Sequence, residues 1–138
     1  MIFSVFANLE KSESLGIAKE MVSVLSGENC RLCFHEKYKR ALDGADCVFV
    51  PADEMYKVCD IAVAVGGDGT TMKVAKNAAV NGKPALGVNG GRLGFLSAVE
   101  RNEISLLEAV LKGDYIVDER IMLRADVIKN GTVISHNH

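Results

Sequence analysis

The residues best suited to chemistry are Gly66-Gly67-Asp68-Gly69-Thr70, a carboxylate set among three glycines directly after the apolar run 61–65. Glycines permit positive φ and let the main chain come close to a ligand. A helix starting near Thr70 would aim its free N–H groups at that ligand. The segment is not a P-loop, because no Gly-Lys-Ser/Thr follows, and it is not a dinucleotide fingerprint. Counted from Gly67 the third glycine falls at Met72, and counted from Gly66 the second falls at Asp68. A loop that only cradled phosphate would not carry a carboxylate, since two anions close together repel. Asp68 makes sense if it accepts a hydroxyl proton, orients a hydroxyl or binds Mg²⁺, each a part of phosphoryl transfer. The plainer reading is an N-cap for the following helix.

A second glycine turn, Asn89-Gly90-Gly91-Arg92-Leu93-Gly94-Phe95-Leu96, follows another apolar run at 85–88. Ligands of open α/β sheets bind outside the carboxyl ends of the strands. If the strands at 61–65 and 85–88 are neighbours, both turns share one rim.

The surrounding pattern supplies such a sheet. Residues 2–7 read as a buried first strand, and the five apolar residues without alternation at 61–65 as a strand covered on both faces. Shorter strands are expected at 31–34 and 46–50, the latter closed by Pro51. Leu15, Ala18, Val22 and Leu25 recur at helical spacing, with Ser12 or Ser14 as the cap and Gly27 as the stop. Met72, Ala75 and Ala79 mark a second helix and 104–111 a third, ended by Gly113. Residues 35–44 are charged and read as surface. Beyond Gly113 the period changes: Ile121, Leu123, Ala125 and Val127 alternate with polar or flexible neighbours, as in a half-buried strand, and Asn130-Gly131 is a hairpin signal with 132–135 returning. We therefore expect an α/β unit at 1–112, an open, mostly parallel sheet flanked by helices. The first antiparallel strands of a truncated all-β unit would follow at 113–138.

The 138 residues carry 49% apolar and 25% charged side chains and a net charge of −2, the profile of an ordinary globular chain. Without a basic surplus or Trp, nucleic-acid binding is not expected. No signal peptide and no run of ~18 apolar residues is present, so a cytoplasmic protein free of membrane is expected. Cys30 and Cys33 have CxxC spacing with His35 nearby, as in half a zinc site or a redox pair. No second CxxC accompanies them, and with Cys47 and Cys59 they read as small hydrophobes beside buried strands.

The pentapeptide at 66–70 resembles the signature of the NAD kinases, and occurs also in diacylglycerol and sphingosine kinases. Asn89, Gly91 and Leu93-Gly94-Phe95-Leu96 resemble the NAD-kinase segment after the next strand. Thr71-Met72-Lys73 stands where the lipid kinases show Asn-Glu, and residues 115–124 resemble the entry into the NAD-kinase second domain. The resemblance implies ATP-dependent phosphorylation of the adenosine-ribose 2′-hydroxyl of NAD, with Mg²⁺ or a similar divalent cation as cofactor and no protein metal ligand assigned. Asp68 would accept the hydroxyl proton and Gly69 would touch NAD through its backbone. Lys73 would contact the dinucleotide, or else be an ordinary solvated lysine. Phe95 would pack on the nucleotide, or else be a core aromatic. Arg92 is left out of the site. The family's Asn-Glu or Asn-Asp pair and its Gly-Ser-Thr-rich segment would fall beyond His138, so the chain is expected to be a fragment, inactive alone. A homo-oligomer through the missing part is expected. His136 and His138 would share a strand face, a metal geometry we do not favour. Two alternatives stay open. A lipid kinase would show membrane association. A non-catalytic nucleotide module would bind nucleotide while Asp68 made no difference to turnover.

Overall fold

The structure, a computed structural model, describes residues 1–27, 29–92 and 94–137, except the side chains of His136 and Asn137. Leu93 of the second turn and the His136/His138 side-chain pair lie outside the described residues. The elements run β1 (Ile2–Ala7), α1 (Ser12–Leu25), β2 (Arg31–His35), β3 (Val48–Val50), α2 (Met55–Val58), β4 (Ile61–Gly66), α3 (Asp68–Val80), β5 (Ala85–Asn89), α4 (Leu107–Leu111), β6 (Ala125–Lys129) and β7 (Thr132–Asn137). Strands β1 to β5 form one parallel sheet in the order β3-β2-β1-β4-β5, and β6 and β7 form a separate antiparallel pair.

Strand β4 is why the site lies where it does. Ile61, Val63 and Val65 point into the larger core, with Phe3, Val5, Ile17, Met21 and Phe34. Ala62 and Ala64 point the other way and meet Val74 and Ala78 of α3. Alternating large and small residues on one buried strand let α3 settle close to the sheet. On β5 the close approach is sharper still: a Cβ at Gly87 would stand 3.0 Å from Thr71 Cγ2 and 3.1 Å from Ser97 Cα. The start of α3 is thereby held over the carboxyl ends of β4 and β5. Strand order also reverses beside this point, with connections running outward to β2 on one side of β1 and to β5 on the other side of β4. Such a switch point is where open α/β sheets place ligands.

Several expectations change in detail. Helix α1 begins at Ser12 with Lys11 as its N-cap, and neither Ser12 nor Ser14 caps it. Instead Asn8 Oδ1 accepts the Glu10 N–H at 3.1 Å and turns the chain just before the helix. The helix stops at Leu25 because Ser26 turns extended (φ −64°, ψ 123°), ahead of Gly27. The buried face of α3 is Thr71, Val74 and Ala78, one residue out of phase with the expected stripe, and Met72 is 61% exposed. Within the charged stretch 35–44, Leu42 turns inward to the core. The third helix is a 3₁₀ turn (Arg101–Leu106) running into α4, and Gly113 ends it at φ 77°.

The hairpin turn is as expected, with Asn130 at φ 51° and Gly131 at φ 76°. The half-buried pattern before it is not. Ala125 pairs with Asn137, so residues 121–124 have no strand opposite them within the described chain. Ile121 and Leu123 are accordingly exposed, as is every residue of β6. Burial also raises the pKa of all four cysteine thiols, which favours the protonated form over the thiolate that binds zinc or attacks. Cys33, on β2, and Cys59, between α2 and β4, are buried.

A pair of substitutions separates the packed part from the unpacked one. Ile17→Ala, at a fully buried position, should cost roughly 2–5 kcal/mol. Ile121→Ala should stay within about 0.5 kcal/mol, as exposed positions do. Urea melts of both variants check this, and equal losses would mean that residues 116–124 are packed.

Candidate active site at two facing glycine turns

Strands β4 and β5 pair in parallel with Gly66 opposite Asn89, so both glycine turns leave the sheet side by side. Gly66 is at φ 157°, and a Cβ there would stand 2.9 Å from Thr70 Oγ1 and 3.1 Å from Thr70 Cβ. Thr70 is β-branched and held in the first turn of α3, so it has little room to yield. The chain therefore turns sharply at Gly66, and Gly67 becomes the N-cap with no side chain to offer.

The second turn lies against the first. The Gly90 N–H donates to Gly66 O at 3.0 Å, and a Cβ on Gly90 would come within 3.2 Å of Gly66 Cα. Its two ends are pinned to the sheet: the Asn89 N–H donates to Val99 O at 2.9 Å, and the N–H groups of Ala98 and Val99 donate to Gly87 O at 3.0 and 3.2 Å. Asn89 is buried. Its Oδ1 accepts the Gly91 N–H at 3.1 Å, and its Nδ2 donates to Glu100 Oε2 at 2.7 Å.

Asp68 spans the gap between the turns. It is the first residue of α3, two positions before the expected start, and it does not cap its own helix. Its carboxylate reaches across to the main chain of the second turn. Oδ1 accepts the N–H groups of Phe95 and Leu96, each at 3.1 Å, and Oδ2 shares the Phe95 N–H at 3.1 Å. The helix-cap reading is thereby corrected. The free amides belong to the other turn, 27 and 28 residues along the chain.

The other expected site residues divide. Gly69 is exposed, and a Cβ on it or on Gly67 would meet nothing within 4 Å. These two glycines face open space, whereas Gly66, Gly87, Gly90 and Gly94 each sit against a named neighbour. Phe95 is 90% exposed, so it is not a core aromatic; its ring stands on the rim while its N–H holds Asp68. Lys73 is exposed and lies five residues after Asp68, about 140° round the helix at 3.6 residues per turn. Its Cα–Cβ bond leans toward the helix start, so the stem can run back along the outer face, but no contact joins Lys73 to Asp68 among the described residues. The amides of Phe95 and Leu96 and the role of Gly94 are not visible in the sequence. No side-chain type marks a backbone donor, and pairing the two turns requires knowing that β4 adjoins β5.

Two clefts lie at opposite ends of the sheet. One of about 480 Å³ lies beside the second turn and is lined by Asn89, Gly91, Glu100, Arg101, Asn102 and Glu20. A larger one, about 670 Å³, is lined by Met1, Arg31, Asp46 and neighbours at the amino ends of the strands. It lies at the wrong end of a parallel sheet for the chemistry of the rim. Among the described residues no group of three or more His, Cys, Asp or Glu could hold a metal ion.

An open parallel sheet carrying a carboxylate between two glycine turns defines the class structurally, and comparison with known proteins gives the family. Residues 3–115 match the ATP-NAD kinase N-terminal domain. The chain belongs to the NAD kinase family. It is 35% identical over 127 residues to an NAD kinase of Caldanaerobacter subterraneus, covering 91% of this chain and 44% of that protein. It is 37% identical over 131 residues to one of Heliobacterium modesticaldum, covering 92% and 44%. The chain thus spans less than half the length of these curated relatives. The fold is also that of yeast NADH kinase, solved in complex with NADH, at a TM-score of 0.69 and 17% identity, over 83% of this chain and 38% of that one.

The glycines yield a direct test of which are structural. Gly66→Ala should lower the melting temperature, because Thr70 cannot move aside. Gly69→Ala should hold or raise it, since alanine replaces glycine inside a helix with open space around it, a gain of up to about 1 kcal/mol. Thermal melts of the two variants decide. A Gly69→Ala protein as unstable as Gly66→Ala would place Gly69 in a contact that this geometry lacks.

Proposed function

We propose that this chain supplies the catalytic edge of an NAD kinase, with Asp68 receiving the proton of the adenosine-ribose 2′-hydroxyl while ATP donates the phosphoryl group. The observation that carries the reading is the geometry of Asp68. A helix cap would spend its carboxylate on its own helix, whereas this one is held from the side on an open rim. Family membership names the reaction class, and the similar proteins are NAD kinases, which points to NAD as the substrate. Gly67 and Gly69 offer bare backbone where a ribose or phosphate would approach. Phe95 offers an exposed ring for an adenine or nicotinamide face, and Lys73 offers a cation for the dinucleotide phosphates. We place the boundary of the nucleotide-binding unit near residue 112, where the packed core gives way to exposed chain.

A divalent cation suits the site only with help from the substrate. Among the described residues Asp68 is the carboxylate that bridges the two turns, and its two donors are the main-chain N–H groups of Phe95 and Leu96. Mg²⁺ commonly relies on phosphate oxygens and water, with one or two carboxylates. The nucleotide phosphates and water would hold it, and its charge would offset that of the phosphates near Asp68. No residue here binds it alone.

The site as described is one wall. Open space at Gly67 and Gly69 and the bare Phe95 ring leave the far side of a nucleotide uncovered, so the 138 residues by themselves are expected to turn over poorly. Positioning is worth about 7–11 kcal/mol of a barrier, and a single wall provides little of it. The exposed Ile121, Leu123, Val127 and Ile134 offer an apolar face for the remaining sheet of a longer kinase or for a second copy. A cytoplasmic location suits a chain in which no described helix is long and apolar enough to cross a membrane.

The test joins residues 1–138 to the C-terminal remainder of the Caldanaerobacter relative and assays NADP formation from NAD, ATP and Mg²⁺. Asp68→Asn should keep the melting temperature and lose about 10²–10⁴-fold in kcat, the usual cost of a missing general base. A folded Asp68→Asn chimera with near-normal kcat would overturn the reading. Lys73→Ala should raise KM for NAD with a smaller effect on kcat, the mark of lost uniform binding. An unchanged KM would return Lys73 to ordinary surface.

A further inference from the structure

We infer that Gly94 is a positioning residue, and that residues 94–96 form a main-chain clamp dividing the work of the two Asp68 oxygens. Oδ1 is the anchored atom and Oδ2 the reacting one. The inference rests on the reading of Asp68 as the proton acceptor and assigns a role to a residue that the reading leaves out.

Three observations lead to it. First, the donors are unequal. Oδ1 takes both the Phe95 and the Leu96 N–H, while Oδ2 takes only a share of the Phe95 N–H. A carboxylate offers about four lone-pair sites, so the free capacity is concentrated on Oδ2. Second, a Cβ on residue 94 would stand 2.7 Å from Oδ1, 3.4 Å from Cγ and 3.8 Å from Oδ2. Any side chain there would push the anchored oxygen out of the clamp. Glycine at 94 is thus required by the Asp68 carboxylate packed against it. Third, the clamp is built before any ligand arrives. Its turn is tied at both ends to β4 and β5 through the Gly90, Asn89, Ala98 and Val99 N–H groups, and Asn89 braces its start. Amides fixed in this way need no reorganisation to hold the carboxylate.

The clamp explains how a flexible-looking glycine turn positions a reacting atom. Rotation of the Asp68 carboxylate would exchange its two oxygens, and the paired donors on Oδ1 oppose that. A ribose hydroxyl arriving from the open side of Gly67 and Gly69 then meets one oxygen in one orientation.

Amide hydrogen exchange on the ¹⁵N-labelled 138-residue chain reads the clamp without any turnover. The Phe95 and Leu96 amides should be protected in the parent chain. They should lose protection in Asp68→Ala and in Gly94→Ala, while the amides of β4 and β5 keep theirs. In the chimera, Gly94→Ala should lower kcat about 10²-fold, the scale of a 1 Å misplacement, with KM for NAD little changed. A second variant guards against misfolding: an α-hydroxy acid with the phenylalanine side chain at position 95 removes one N–H and adds no atom. It should lower kcat in the same direction. Protection of Phe95 and Leu96 that survives Asp68→Ala, or full kcat in both clamp variants, would overturn the inference. The reading of Asp68 falls separately, on an active Asp68→Asn enzyme. An inactive Asp68→Asn beside fully active clamp variants would sink the clamp alone.

Discussion

Everything at this site depends on the parallel pairing of β4 with β5. With Gly66 opposite Asn89, the two strands end level, and their connections must leave the sheet at the same height and lie against each other. Backbones that close leave no room for side chains. Gly66, Gly90 and Gly94 are glycine because a Cβ would meet Thr70, Gly66 or Asp68 at 3.2 Å or less. The carboxylate of Asp68 then bridges the two turns, and the contact is polar on one side and open on the other. A site of this kind is made by the sheet's register, and α3 only completes it.

The glycines of the two turns consequently do different jobs, although they look alike in the sequence. Those packed turn against turn are structural. Gly67 and Gly69 have open space where a Cβ would be, and on the proposed reading that space receives the nucleotide. Reading all of them as phosphate or ribose contacts would assign to binding what belongs to packing. Phe95 shows the same division within one residue, its N–H committed to Asp68 and its ring left in solvent.

Much of the fold is legible in the amino-acid sequence. The unbroken apolar run at 61–65 identifies the central strand, because only a strand covered on both faces lacks a polar side. The glycine turn after it marks the rim, and Asn130-Gly131 marks the hairpin through its need for two positive φ angles. What the sequence hides has physical causes. Helix α3 starts two residues earlier than its pattern suggests because Gly67 caps without a side chain. Its buried stripe lies one residue away from the apolar one because Thr71, though polar, is buried against Gly87. Alternation at Ile121 and Leu123 signals a strand only where a neighbour exists to pair with, and within the described residues none does. The clamp on Asp68 leaves no mark in the sequence because its donors are main-chain amides far along the chain.

On the proposed reading, nucleotide meets this chain on the rim between the two glycine turns. An NAD titration of the ¹⁵N-labelled chain, followed by amide chemical shifts, tests it most directly and tolerates the weak binding that a single wall allows. Shifts are expected at Gly67, Gly69, Phe95 and Leu96, fading along α3 beyond Lys73, with the amino-end cleft around Met1, Arg31 and Asp46 unmoved. Shifts centred on that cleft, with the turns silent at saturating NAD, would contradict the account.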